Sequence, residues 1–233
     1  MSSDSFSKEY LLSDKYVRDI MGKANVSYEE FIKILNDAES ATQNYNYRHN
    51  PNVSNIATKL GAWRWKGLFT YREQIVPILF DKELKGVDFG GAARPISRHL
   101  DIVDLVLVDY YDRPVKYNSL AEIKHKLDFV FSSHALEHIQ NLNNVLDDIY
   151  SSLKIGGKLI LNLPNYTCNR WRANSGLDMG GTPHVHTFKL SKTVTNQTIN
   201  SLKSIDTLLE DQGFEVTLAE YTGDDSIIIM AKK

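Results

Sequence analysis

A series of short apolar runs between Leu84 and Pro164, separated by helical stretches, constrains the fold more than any other feature. The runs are Leu84 to Phe89, Leu105-Val106-Leu107-Val108-Asp109, Leu127 to Ser132, and Lys158 to Leu163, which Pro164 ends. Leu105 to Val108 is apolar at every position, as a strand buried on both faces must be. Val115-Lys116-Tyr117 reads as a further short strand, third in chain order. Between the last two runs Leu142, Leu146, Ile149 and Leu153 recur at a helical period, and Gly156-Gly157 is predicted to close that helix. Such a rhythm of strand, helix and strand implies a parallel sheet covered by helices. Nearer the C-terminus a helix through Ile205, Leu208 and Leu209 stops at Gly213. Phe214 to Tyr221 and Ser226 to Ala231 then form a hairpin joined at Thr222-Gly223-Asp224-Asp225.

The amino-terminal part reads differently. From about Ser7 to Phe80 the pattern is helical, with no strand alternation. Ser27-Tyr28-Glu29-Glu30 is a capping-box pattern, because a serine hydroxyl and a glutamate three residues on can each satisfy an unpaired amide at a helix start. Helical spacing resumes near Asn55 and reaches Ile78, with an interruption expected at Pro77.

Composition excludes several classes. The formal net charge of −2 gives no reason to expect a nucleic-acid partner. No apolar run approaches the ~18 residues of a membrane span, and the first residues do not read as a signal peptide. The single cysteine, Cys168, permits no intramolecular disulfide and fits a reducing, cytoplasmic location.

Asp88-Phe89-Gly90-Gly91-Ala92 is a strand end turning on two glycines toward a helical segment, which lets backbone amides approach a nucleotide-type ligand closely. Ligands of open parallel sheets bind at the carboxyl ends of the strands. Polar residues occupy those ends: Asp109-Tyr110, Asn118-Ser119, Ser132-Ser133-His134 and Asn162 to Asn165. An acid about 20 residues beyond a glycine turn, here Asp109, is placed to bind ribose hydroxyls.

Four ordered segments carry a family resemblance: Val87 to Gly91, Val108-Asp109, Leu127 to Ile139 with its Leu136-Glu137-His138, and Leu153 to Ile160. The chain resembles the class I S-adenosylmethionine-dependent methyltransferases, in particular the broad group with an "LEH" turn after strand four. The likeness covers about Leu84 to Pro164, and the terminal helix and hairpin extend it to Lys233. It implies an α/β fold: a Rossmann-like, doubly wound, seven-stranded sheet, mostly parallel with a C-terminal antiparallel hairpin. Residues 1–80 would be an N-terminal helical cap or substrate region, and 81–233 the cofactor-binding domain, with an insert at about 165–195 over the active site. The cofactor would be S-adenosyl-L-methionine. By the same resemblance Asp88 to Ala92, including Gly90 and Gly91, would hold its methionine part. Asp109 would hold the ribose and Tyr110 one adenine face, while Asn118, Ser119 and Leu120 would lie at the adenine edge. His134, after Ser133, would lie near the sulfonium. The chain departs from the family at Arg94, where a third glycine is usual, and at Asn118, where an acid is common. The connection Tyr111 to Pro114 is also short. A similarly short connection occurs in methyltransferases that accompany bacterial surface-polysaccharide enzymes.

That resemblance points to a small hydroxylated acceptor such as a sugar or nucleotide-sugar. Methylating a hydroxyl requires removal of its proton, for which histidine is suited near neutral pH. The candidates are Glu137 and His138 at the strand-four turn and His184 and His186 in the insert, with His138 or His186 favoured as the base. His184 and His186 with Asp178 or Glu137 could form a two-histidine, one-carboxylate set, but an H-x-H pair in a loop does not predict a metal, and none is expected. Two alternatives remain at this point. One is a degenerate methyltransferase fold acting as a binding protein. The other is a nicotinamide-dependent reductase, disfavoured because Gly90 to Pro95 lacks G-x-G-x-x-G and no Tyr-x-x-x-Lys pair follows strand four.

Overall fold

Strand β1 (Gly86–Phe89) is buried along its whole length because it has a parallel strand on each side and packed layers on both faces. It belongs to a computed structural model that describes Arg18 and residues 21–22, 27–31, 71–91, 96, 99–103, 115–168, 184–222 and 226–233. Before β1 runs helix α1 (Arg72–Leu79). After it come β2 (Asp101–Val103), β3 (Leu127–Ser133), α2 (Leu142–Ser152) and β4 (Leu153–Pro164). β5 (Thr187–Lys189), β6 (Leu202–Ser204), α3 (Ile205–Asp211), β7 (Glu215–Thr222) and β8 (Ser226–Lys232) complete the order. Single 3₁₀ turns lie at Leu120–Glu122 and Leu136–His138.

Six strands form one mixed sheet in the order β2-β1-β3-β4-β8-β7, and β5 pairs with β6 separately. The first four are mutually parallel, while β8 runs antiparallel to both β4 and β7, so the expected closing hairpin is present. The two-residue period of β3 divides its side chains between the faces. Val130 joins Val87, Phe89, Leu159 and Leu161 under α2 and α3, whereas Phe129 and Phe131 join Ile160, Ile228 and α1 on the other side. Each such fully buried side chain contributes roughly 1.5–3 kcal/mol of transfer free energy, so the two faces together commit the strand to the sheet centre.

Several expectations are corrected. Among the described residues the sheet has six strands where seven were expected, and the expected third strand at Val115 to Tyr117 is one parallel bridge, Val103 to Tyr117. A single bridge is what a run of three residues with a lysine at its centre can support. The helix before β4 stops at Ser152 rather than at Gly156-Gly157, and its cap residue Leu153 is already extended. The glycines instead belong to an excursion of β4. Leu127 pairs with Leu153 and Phe129 with Lys158, so residues between those two points loop out, with Gly156 at φ 79°. Pro77 does not interrupt α1, which continues to Leu79 because Ile75, Val76, Ile78 and Leu79 are all buried. The loop-rich insert contains a strand, β5.

The second expected strand, Leu105 to Asp109, lies outside the described residues, as does most of residues 1–70; the described strand beside β1 is β2. At Ser27 the capping box forms as expected, with Glu30 N–H donating to Ser27 Oγ at 3.1 Å and Ser27 N–H to Glu30 Oε2 at 2.8 Å.

Candidate active site

The polar residues gather where the sheet geometry requires, at the carboxyl ends of β1, β2, β3 and β4. Gly90 turns off β1 at φ 77°, a conformation that favours glycine, and its N–H donates to Val103 O at 2.6 Å. A Cβ there would collide with the Ala135 methyl group, so only glycine lets the β1 turn lie this close to the turn after β3. Asp88 is fully buried, and its Oδ2 accepts the Ile96 N–H at 2.8 Å. Its carboxyl group fills the place a Gly91 side chain would take. Ala92, Asp109, Tyr110, Arg94 and Asp178 lie outside the described residues.

The bridge from Val103 to Tyr117 sets Asn118 and Ser119 beside the same end of the sheet. Ser119 Oγ accepts the Ala121 N–H at 3.0 Å and so caps the 3₁₀ turn at Leu120, whose side chain is buried. Asn118 is exposed, with its N–H 3.4 Å from Glu122 Oε2. Across the sheet Ser133 and Asn162 are register partners, and Asn162 Nδ2 donates to Ser133 Oγ at 3.1 Å. Ser132 Oγ and Asn162 Oδ1 are buried with no hydrogen-bond partner among the described residues. An amide-rich glycine turn, a buried acid beneath it and polar groups with spare bonding capacity at adjacent strand ends fit a zwitterionic nucleoside cofactor such as S-adenosylmethionine.

Beyond β3 the chain turns sharply at His134, φ 52°, a region that non-glycine residues rarely occupy. The 3₁₀ turn that follows drives Glu137 inward until its side chain is wholly buried. The carbonyl of Glu137 accepts the N–H groups of Val185 and His186 at 2.7 and 3.1 Å, which sews the insert onto this turn and brings His184 to the carboxylate. His134 Nδ1, His138 Nε2 and His184 Nε2 stand 3.5, 3.9 and 4.0 Å from Glu137 Oε1. The His138 and His184 rings meet edge to face, with centroids 4.5 Å apart. Burial pushes the Glu137 carboxyl upward, but the His134 ring against it and the charges of His138 and His184 outweigh that and hold it down at about 2. The result is a buried carboxylate with three imidazoles around it.

His186 sits apart from this ring of contacts. Its Nε2 bonds the Ile139 carbonyl at 2.8 Å, and burial lowers its pKa. Of the four residues expected to carry catalysis, Glu137, His138 and His184 therefore converge, while His186 pins the insert to the turn. His134 joins the cluster, a contact that spacing did not reveal. Its only sequence signal is that it stands three residues before Glu137, which one tight turn can bring together.

A model of the family described as "Methyltransferase domain" matches residues 62–219. No curated protein matches the chain. Among solved structures, magnesium protoporphyrin IX methyltransferase from Synechocystis, with bound SAH, is 17% identical at a TM-score of 0.40, covering 64% of this chain and 74% of its own. An S-adenosylmethionine-dependent methyltransferase from Mesorhizobium loti is 14% identical at 0.41, covering 64% and 91%. A SAM-dependent methyltransferase from Thermotoga maritima is 13% identical at 0.44, covering 92% and 99%. Similarities at this level carry no information on substrate. The family match sets aside the nicotinamide-dependent reductase. With its model spanning well over half of the residues, and with the glycine turn, strand-end polar groups and closing hairpin in place, the chain belongs to the methyltransferase domain family and uses S-adenosylmethionine.

Proposed function

We propose that the protein transfers a methyl group to a hydroxyl of a small acceptor, such as a sugar or nucleotide-sugar in glycan assembly, with a histidine taking the proton. The observation that carries this reading is the convergence of His134, His138 and His184 on the ionised, buried Glu137 at the carboxyl end of β3. An amine acceptor that arrives uncharged needs no such proton sink at the moment of transfer, whereas a hydroxyl does. His138 is the proton acceptor, because its side chain is 18% exposed while those of His134 and His184 are 7% and 9%. Glu137, 3.9 Å from His138 Nε2, stabilises by its charge the imidazolium that forms.

When bound, S-adenosylmethionine supplies a methyl group on a sulfonium, open to in-line displacement. The chain's task is to hold the acceptor oxygen in line and to exclude water. Asp88, Gly90, Gly91 and Ala92 cradle the methionine end, and Asp109 takes the ribose hydroxyls. Tyr110, Asn118, Ser119 and Leu120 line the adenine, with Ser133 and His134 beside the reacting end. Residues 1–80 serve as the acceptor-side cap of the domain formed by 81–233; the packing of Phe31 with Ile75 and Leu79 against the sheet supports their attachment.

Calorimetry with S-adenosylmethionine and its demethylated product, followed by transfer to matched panels of sugars and amino sugars, tests the reading. Binding of both sulfur compounds and methylation of hydroxyls alone is the expected result. Methylation confined to the amines would overturn the oxygen assignment, and tight binding with no turnover would favour the binding-protein alternative.

A further inference from the structure

The Glu137 carboxylate lacks what a buried carboxylate normally has. Both of its oxygens are inaccessible, and among the described residues neither accepts a hydrogen bond of good geometry. Its nearest donor, His134 Nδ1, stands at 3.5 Å, too far for the short, charge-assisted bond that would offset desolvation. A carboxyl group buried without a short hydrogen bond is costly unless a cation accompanies it, which makes the pocket a candidate cation site.

One group fits the donors on the page. Glu137, His138 and His184 each offer one ligand atom, and all three atoms lie within 4.8 Å of one another. Around a tetrahedral ion with bonds near 2.1 Å such atoms would lie about 3.4 Å apart, so the two contacts to Glu137 at 3.9 and 4.0 Å need to close by roughly half an ångström, and a pair at the 4.8 Å limit by more than one. Side-chain rotations of the three residues would have to supply that closure. The ligand-bearing segments are already joined, by two hydrogen bonds from Val185 and His186 to the Glu137 carbonyl and a third from His186 to Ile139 O. Pre-joined segments are what a metal site requires.

We propose that Glu137, His138 and His184 form a binding site for one divalent transition-metal ion. Two neutral imidazoles and one carboxylate suit zinc, iron(II), cobalt(II) or manganese(II), whereas magnesium and calcium favour sets built from oxygen alone. Three protein ligands leave at least one position open, and two imidazoles with one carboxylate leave the ion a net positive charge. The consequence for catalysis rests on the reading above that the acceptor is a hydroxyl: an ion here would hold that hydroxyl and make it more acidic, so that its proton passes to water while His138 serves as a ligand and not as the base. The binding itself does not depend on that reading.

The test uses the full chain, freed of any histidine tag and treated with EDTA, then titrated with Co²⁺ while its visible d–d absorption is followed, with Zn²⁺ stoichiometry measured in parallel. We expect one equivalent of each, with S-adenosylmethionine affinity recorded separately by calorimetry. Glu137→Gln and His184→Ala should weaken Co²⁺ binding by more than about 100-fold, beyond what loss of an outer-shell partner costs. Because Glu137 is buried, His138→Ala at the more exposed ligand serves as a second variant whose fold is easier to preserve, and its circular dichroism and S-adenosylmethionine binding report whether it is intact. The proposal is overturned if the wild-type chain takes up no stoichiometric Co²⁺ or Zn²⁺, or if all three folded variants bind like wild type; full methyl transfer by EDTA-treated, metal-free enzyme would overturn the ion's catalytic role alone. Loss of S-adenosylmethionine binding with one equivalent of Co²⁺ still bound would instead sink the methyltransferase chemistry and leave the metal site standing.

Discussion

Two carboxylates near opposite ends of β3 show how different jobs are built from the same chemistry. Asp128 lies near the amino end of β3 and Glu137 just past its carboxyl end. Asp128 accepts the Lys85 N–H at 2.8 Å and Lys154 Nζ at 2.6 Å. Burial pushes its pKa up, but the Lys154 and Lys85 hydrogen bonds outweigh that and leave it lowered. Glu137 is also lowered against a burial effect, but by His134 at 3.5 Å and by His138 and His184 further out, with no short hydrogen bond among the described residues. One carboxylate is satisfied and serves stability. The other is ionised and unsatisfied, as a group reserved for a proton or a ligand would be.

Breaking the comparison at its stronger side should give the largest effect. Glu137→Gln keeps the shape and removes the charge, and methyl transfer should fall by on the order of 10²–10⁴-fold, while Asp128→Asn should leave turnover unchanged. Steady-state rates for both variants decide this, and equal losses would erase the distinction. Next in size is the ribose contact: Asp109→Ala should weaken S-adenosylmethionine binding by roughly 1.5–3 kcal/mol, read by calorimetry. The same calorimetry on Glu137→Gln should find nearly wild-type affinity.

A smaller effect separates the two insert histidines. His186→Ala removes the bond to Ile139 O and should cost about 1–2 kcal/mol of stability in denaturant unfolding, with less than about tenfold loss of turnover. His184→Ala should do the reverse, lowering turnover more than it lowers stability. If His186→Ala is the more damaging to turnover, the proton acceptor has been placed on the wrong residue.

The smallest effect is that of Asp128. Its depressed folded pKa contributes stability that is fully present above the unfolded value near ~3.9 and is lost as pH falls through the folded value. The stability gap between wild type and Asp128→Asn should therefore be flat at neutral pH, at about 1 kcal/mol or less, and close in acid. Thermal melts across that range test the sign. A gap that widens in acid would mean that Asp128 is not held ionised by Lys154 and Lys85.

Much of this was legible from local pattern. The apolar runs, the helical period from Leu142 and the final hairpin all depend on neighbours in sequence, as does the capping box at Ser27. The candidate site was legible in parts. Glycine at position 90 follows from a turn that needs positive φ, and polar residues at strand ends follow from sheet topology. What could not be read was the company Glu137 keeps. His184 lies 47 positions further on and reaches the carboxylate only because the insert returns to donate two backbone hydrogen bonds to the Glu137 carbonyl. The spacing of His184 and His186 made them look like a pair, whereas their rings take different partners. Likewise Gly156-Gly157 read as a helix stop, although β3 and β4 pair with an offset that needs a looped excursion there.

By itself, then, the sequence determined the order of strands and helices, the cofactor-type glycine turn and the chemical kinds of residue at the strand ends, because these follow from periodicity and backbone preference over a few residues. Only the tertiary structure decided that Glu137 is buried, that three histidines face it and that His186 serves as a pin. Those facts arise from long-range packing, in which a 3₁₀ turn at the end of one strand and a loop beyond the next are pressed together over the sheet edge. No local spacing encodes that meeting.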